Sequence, residues 1–83
     1  MEPNLVNNLN KLQLPNWVEE KVRDNIFGWK ISTNDIIDWC KNIIINENAT
    51  LQEDESNYYI KLNNYGTVIR KDDYNIIVIK EFK

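Results

Sequence analysis

The chain reads as an α+β domain, with two to three helices over about residues 3–45 packed on one face of a three- to four-stranded antiparallel β-meander over about residues 50–82. Three observations predict it. Up to Ala49 the apolar residues recur at helical spacing, and beyond it they alternate with period two. Two of the earlier segments open with residues that cap helices. The later segments are separated by stretches of only two to four residues rich in Asp, Asn, Ser and Gly, which connect antiparallel neighbours but not parallel ones. No repeat or linker divides the 83 residues, so residues 1–83 are expected to form a single domain.

Leu5, Leu9 and Leu12 make a narrow apolar stripe at steps of four and three, which predicts a short first helix. The "LP" at 14–15 ends it, because proline pushes the residue before it out of the α region. In "NWVEEKVRDNIFG" Asn16 is the candidate N-cap and Glu19 the residue that bonds back, with Glu19 and Glu20 in the first turn where the helix dipole favours acids. Val18, Val22, Ile26 and, just beyond the helix, Trp29 follow one face, and Gly28 is placed as the left-handed stop. In the third helix Ser32 caps with Asp35 three positions on, and Ile36, Cys40, Ile43 and Ile44 form the buried stripe as far as about Ile45. Asn46 and Asn48 then favour a turn.

Four strands follow, "TLQE", "NYYIKLN", "GTVIRK" and "YNIIVIKEF". Tyr58, Ile60 and Leu62 share one face of the second, and Tyr59 and Lys61 the other. Ile76, Ile77, Val78 and Ile79 are apolar on both faces, as expected of a central strand or one covered on both sides. Between the last two strands, "RKDDYN" gathers Arg70, Asp72, Asp73 and Tyr74. With strands ending at Lys71 and resuming near Tyr74, the two aspartates take the centre of a tight hairpin, where short polar side chains tolerate positive φ. Adjacent carboxylates on a strand point to opposite faces, so this motif is a turn and not an ion site.

Composition narrows the function. Ten basic side chains against thirteen acidic ones leave a net charge of −3, which disfavours direct binding of nucleic acid. Histidine is absent, and with it both the commonest metal ligand and the commonest general base near neutral pH. No cofactor, metal site or catalytic group is expected, since the two glycines, Gly28 and Gly66, make no phosphate loop. Cys40 has no second cysteine to bridge to and lies on an apolar helix face, so a buried, inert thiol is expected. No apolar run is long enough to span a bilayer and "MEPNLVNNLN" lacks the features of a signal peptide, so a cytoplasmic protein is expected.

Two surfaces stand out as candidates for contact. "EDES" contributes Glu53, Asp54 and Glu55, a hairpin loop whose charge could meet a basic partner. Trp17, Trp29, Trp39, Tyr58, Tyr59, Tyr65 and Tyr74 are many large aromatics for one small core. Trp39 and Tyr58 are assigned to the core, and Tyr59, Tyr65 and Trp29 to a partner-binding face. Arg23 and Arg70 are assigned to surface ion pairs with nearby acids.

The run from Asn34 to Ile79, with "NDIIDWCKNIII" followed by "NYYIKL", "TVIRK" and "YNIIVI", resembles a family of small uncharacterised bacterial domains in which such a helix leads into a hairpin sheet. The acidic chain, rich in Asn, Ile and Lys, is also similar in style to phage or mobile-element inhibitor proteins, including anti-CRISPR proteins. That similarity implies a non-enzymatic inhibitor in a bacterial host, occupying the surface of a larger protein, such as a basic nucleic-acid-handling defence enzyme. Neither likeness assigns a role to a residue. The rival readings are a histidine-free ribonuclease-like toxin, using Arg70, Lys61 and Tyr59 on adjacent strands, and a structural homodimer pairing through a sheet edge or a tryptophan face.

Overall fold

A computed structural model describes residues 3–82. Helices α1 (Pro3–Val6), α2 (Asn16–Val22) and α3 (Thr33–Ile45) precede strands β1 (Thr50–Glu53), β2 (Asn57–Leu62), β3 (Tyr65–Arg70) and β4 (Ile76–Glu81). The strands lie in chain order, each antiparallel to the next. This is the α+β arrangement that the change of period predicts.

The helices cover one face of the sheet. Two inner rows cross it, Leu51–Ile60–Thr67–Ile79 and Glu53–Tyr58–Ile69–Ile76. Ile36, Cys40, Ile43 and Ile44 of α3 join the same buried cluster as Ile60, Ile69, Ile76 and Ile79. Val18 and Val22 bring α2 into it alongside β4. Burying each of these aliphatic side chains is worth about 1.5–3 kcal/mol, so the inner face is where the fold gains its stability.

Leu5 and Leu12 are buried as expected, but the first stripe breaks into α1 and a single 3₁₀ turn over Leu9–Lys11. Gln13 then forms a parallel bridge to Asn75 at the start of β4. Pro15, not Asn16, takes the cap position of α2, extended at φ −61° and ψ 149°, and its carbonyl accepts the amides of Val18 and Glu19. Proline fits there because its fixed φ suits a chain about to turn. Asn16 is the first helical residue, and the Glu19 carboxylate is used elsewhere.

That carboxylate accepts Arg23 Nε at 2.9 Å and Thr33 Oγ1 at 3.0 Å. Arg23 is buried, which corrects its assignment to the surface. Its Nη1 donates to the carbonyls of Gly28 and Ile31. Below it the helix widens into a π turn over Arg23–Phe27, closed by Gly28 N to Arg23 O at 2.7 Å. Gly28 ends it at φ +75°, the left-handed conformation that calls for glycine. Ser32 caps α3 as predicted, accepting the Asp35 amide at 3.1 Å.

Two expectations about the last hairpin are corrected. The loop is longer than two residues: Arg70 N donates to Asn75 O, and the positive φ of 57° falls on Tyr74 rather than on an aspartate. β4 is an edge strand, not a central one. A register shift near Val68/Ile69 places both Ile76 and Ile79 on the inner face while Val78 points outward and is 41% exposed. A bulge of this kind breaks the simple alternation that made the run look apolar on both sides.

Arg23→Met should lower the free energy of unfolding in urea by about 3 kcal/mol, because it strands the partly buried Glu19 carboxylate and two carbonyls. Lys30→Met, at an exposed position, should change it by less than about 0.5 kcal/mol.

Candidate functional site

The residues singled out from sequence as partner-binding do not form one surface. Glu53 Oε1 meets Lys71 Nζ at 3.0 Å, and that ammonium also stands 4.9 Å from the centre of the Tyr58 ring. Asp54 turns into its own hairpin, where Oδ1 accepts the amides of Ser56 and Asn57 at 2.8 Å and Oδ2 accepts the Tyr59 hydroxyl at 2.7 Å. The Tyr59 hydrogen bond, followed by the two amides, holds its carboxyl below the usual aspartate range. Glu55 is exposed at the tip. Two of the three acids are thus engaged within the chain, Asp54 in its own turn and Glu53 on Lys71.

Tyr65 lies on the helix-covered side. Its ring meets Trp39 edge-on at 5.3 Å, and Trp39 meets Phe27 edge-on at 5.1 Å, so three rings join β3, α3 and the π turn. The Tyr65 hydroxyl donates to Glu81 at 3.1 Å, which pushes its pKa up. Trp29 is 64% exposed in the loop after the π turn, with Nε1 donating to Asp24 and the Arg23 guanidinium 5.4 Å from its ring. Only Tyr59 faces away from the helices on the sheet.

That helix-free face is the most extensive candidate contact surface. One row across it is Gln52–Tyr59–Val68–Val78 and the next is Thr50–Lys61–Gly66–Lys80. Phe82 folds back over the second row, its amide donating to Asn64 O. Gly66 makes room for it, since a Cβ there would stand 2.9 Å from Phe82 Cε2. Lys61 and Lys80 flank the ring, their ammoniums 5.1 and 5.3 Å from its centre. Between Tyr59 and Phe82 lies a shallow hollow of about 290 Å³, floored by Val68 and Val78. Tyr59, Val78 and Phe82 are each about two-fifths exposed. Sequence reasoning missed Phe82, Val68, Val78 and Lys80; the signal was the alternation of β3 and β4, obscured by the bulge.

Lys61, Tyr59 and Arg70 share this face, as the ribonuclease-like reading requires. Arg70, however, is held by Asp73, with Nη2 to Oδ2 at 2.6 Å and Nε shared between both oxygens. Asp73 also accepts the Asn75 backbone amide at 3.0 Å and its side-chain amide at 3.1 Å. The motif is built as a turn, and Arg70 belongs to it.

Cys40 is fully buried, and burial pushes its thiol up to about 12, partly offset by a hydrogen bond with Thr67. Among the described residues no three His, Cys, Asp or Glu side chains gather to hold a metal ion, and no helix is long and apolar enough to cross a membrane. Compared with protein-family models, curated proteins and solved structures, the chain matches none of them.

At pH 8 the Cys40 thiol should stay unlabelled by a disulfide reagent in the folded protein and react fully only in denaturant. The Arg70 contact, aided by the Asn75 amide, lowers the Asp73 pKa, so its contribution to stability is present above the ordinary aspartate value and lost as pH falls through that range. Asp54 has the same sign. Asp73→Asn should therefore flatten the loss of thermal stability between about pH 5 and pH 2, and an unchanged slope would remove Asp73 from this role.

Proposed function

We propose that this chain is a non-enzymatic protein-binding factor that acts by occupying the surface of a larger protein. The observation that carries it is the helix-free sheet face, where Tyr59, Val78 and Phe82 stay exposed around a hollow while Glu53, Lys71, Arg70 and Asp73 of the hairpins pair within the chain. Rigid aromatics beside aliphatic side chains, rimmed by lysines, are the composition of a contact surface. Each of these side chains stands on or directly against a strand, so little order has to be gained on binding.

The finer reading makes it an inhibitor encoded by a phage or mobile element, directed at a host nucleic-acid-handling protein. It rests on the compositional similarity to such inhibitors, and the sheet face is the surface such a factor would present. Lys61 and Lys80 would meet acidic groups at one end of the face, and Glu55 would meet basic groups near the other.

The experiment is capture of partner proteins from a bacterial lysate with the wild-type chain and with folded surface variants. The double variant Tyr59→Ala, Val78→Asp should weaken capture of a specific partner at least about tenfold, whereas Trp29→Ala should leave it within about twofold. Equal capture by the double variant and the wild type would rule out the sheet face.

A further inference from the structure

The charges of the sheet are sorted by face. Glu53 and Glu81, the two acids within strands, pair in register with Tyr58 and Tyr65 on the helix-covered side. Lys61, Arg70 and Lys80, the three cations within strands, all lie on the helix-free side. From Thr50 and Gln52 at one edge to Val78 and Lys80 at the other, no strand residue on that side is acidic. In a chain with thirteen acids and ten bases, the helix-free side therefore carries the sign opposite to the whole.

Of the three cations, Arg70 is neutralised by Asp73 at 2.6 Å. Lys61 and Lys80 are not. Both are exposed, and among the described residues no carboxylate comes within 4.0 Å of either ammonium. They stand in one row on either side of Gly66, where the Phe82 ring fills the space of the missing side chain. At 5.1 and 5.3 Å from the centre of that ring, the two ammoniums are drawn to its π system and so are already positioned for an anion. The hollow begins beside them. Val68 and Val78 floor it, and at its far side Tyr59 gives its hydroxyl to Asp54 Oδ2 at 2.7 Å. The face thus runs from a cationic end through an apolar middle to an acidic end.

We infer that the partner covers this face with an acidic peptide segment, its carboxylates at Lys61 and Lys80 and an apolar side chain in the hollow. This rests on the reading of the face as a contact surface and names what meets it. Sign selects the occupant. Exposed charges farther away than about 8–10 Å are largely screened at physiological ionic strength, so a carboxylate arriving at the row responds to the two lysines more than to the net charge. Glu81, next to Lys80 in the chain, points to the other side and accepts the Tyr65 hydroxyl. A single-stranded nucleic acid is also anionic, but it carries a phosphate at every nucleotide, and a strand laid from Phe82 to Tyr59 would bring one toward the Asp54 carboxylate. A peptide can confine its charge to the lysine end.

The test uses the full chain and a ribosome-displayed library of random peptides. Recovered peptides are expected to hold Asp or Glu beside an aliphatic or aromatic residue, and to shift the backbone amide resonances of Lys61, Gly66, Val68 and Lys80. Their affinity, read by fluorescence anisotropy, should fall at least about tenfold when Lys61→Glu and Lys80→Glu are combined, and should fall with added salt in the wild type. Should the double variant not fold by circular dichroism, the salt series decides. Recovered peptides without an excess of acids would overturn the inference, as would acidic peptides that bind away from this row or are indifferent to the charge reversal or to salt. Oligodeoxythymidylate shifting the same amides where acidic peptides do not would also overturn it, assigning the face to nucleic acid. A library that yields no binder would overturn it too. The wider reading would then still stand if Tyr59→Ala, Val78→Asp weakened capture from lysate, and would fall with it if capture were unchanged.

Discussion

One layer of helix on one face of the sheet is the constraint from which the other features follow. A chain of this length has one helix, α3, long enough to span the strands, and its apolar stripe is spent on the inner face. Small and β-branched residues let it approach closely: Cys40 of α3 lies against Thr67 of β3, both fully or nearly fully buried. The outer face must then be made compatible with water by the strands themselves. It is, through lysine stems, threonine and glutamine, and through Phe82 filling the space that Gly66 leaves. What remains exposed there is exposed because no second layer exists.

The position of the helical layer depends on a single buried cation. Arg23 draws together the Glu19 carboxylate, the Gly28 carbonyl and the Ile31 carbonyl, and Glu19 in turn takes Thr33 at the start of α3. A buried ion pair contributes little net stability against apolar side chains of similar volume, but it tolerates few alternative geometries. The π turn fits that requirement, because widening the helix at Arg23–Phe27 accommodates an extra residue before the chain reverses at Gly28. Phe27, Trp39 and Tyr65 then lock the same corner by edge-on ring contacts, which fixes α3 over β3.

The elements with strong local signals were legible in the sequence: the Ser32 cap, the Gly28 stop, the α3 stripe and β1 at Thr50–Glu53 all follow from short-range chemistry. What could not be read depends on distant partners. Arg23 is buried only because Glu19 and two carbonyls surround it, and nothing in "KVRDN" distinguishes it from a surface arginine. Tyr59 and Tyr65 look alike as exposed aromatics, yet strand parity places one on the open face and the other against Trp39. The bulge near Val68/Ile69 hides the parity of β4 in the sequence, and with it Val78, Lys80 and Phe82 of the candidate face. The acidic hairpin illustrates the reverse error. Its charge is conspicuous in sequence, but Asp54 serves its own turn and Glu53 is taken by Lys71.

The open face and the open edge belong to one physical situation. A domain of this size buries only about three-fifths of the surface its unfolded chain exposes, so apolar groups are left over whatever the sequence. They could have been scattered, and they are not: Tyr59, Val68 and Val78 form one row across three strands, and Val78 is also part of the edge. An apolar row aligned on one face and running out to the edge strand offers a partner one continuous patch instead of isolated contacts, and because its side chains stand on paired strands little order has to be gained when it is covered.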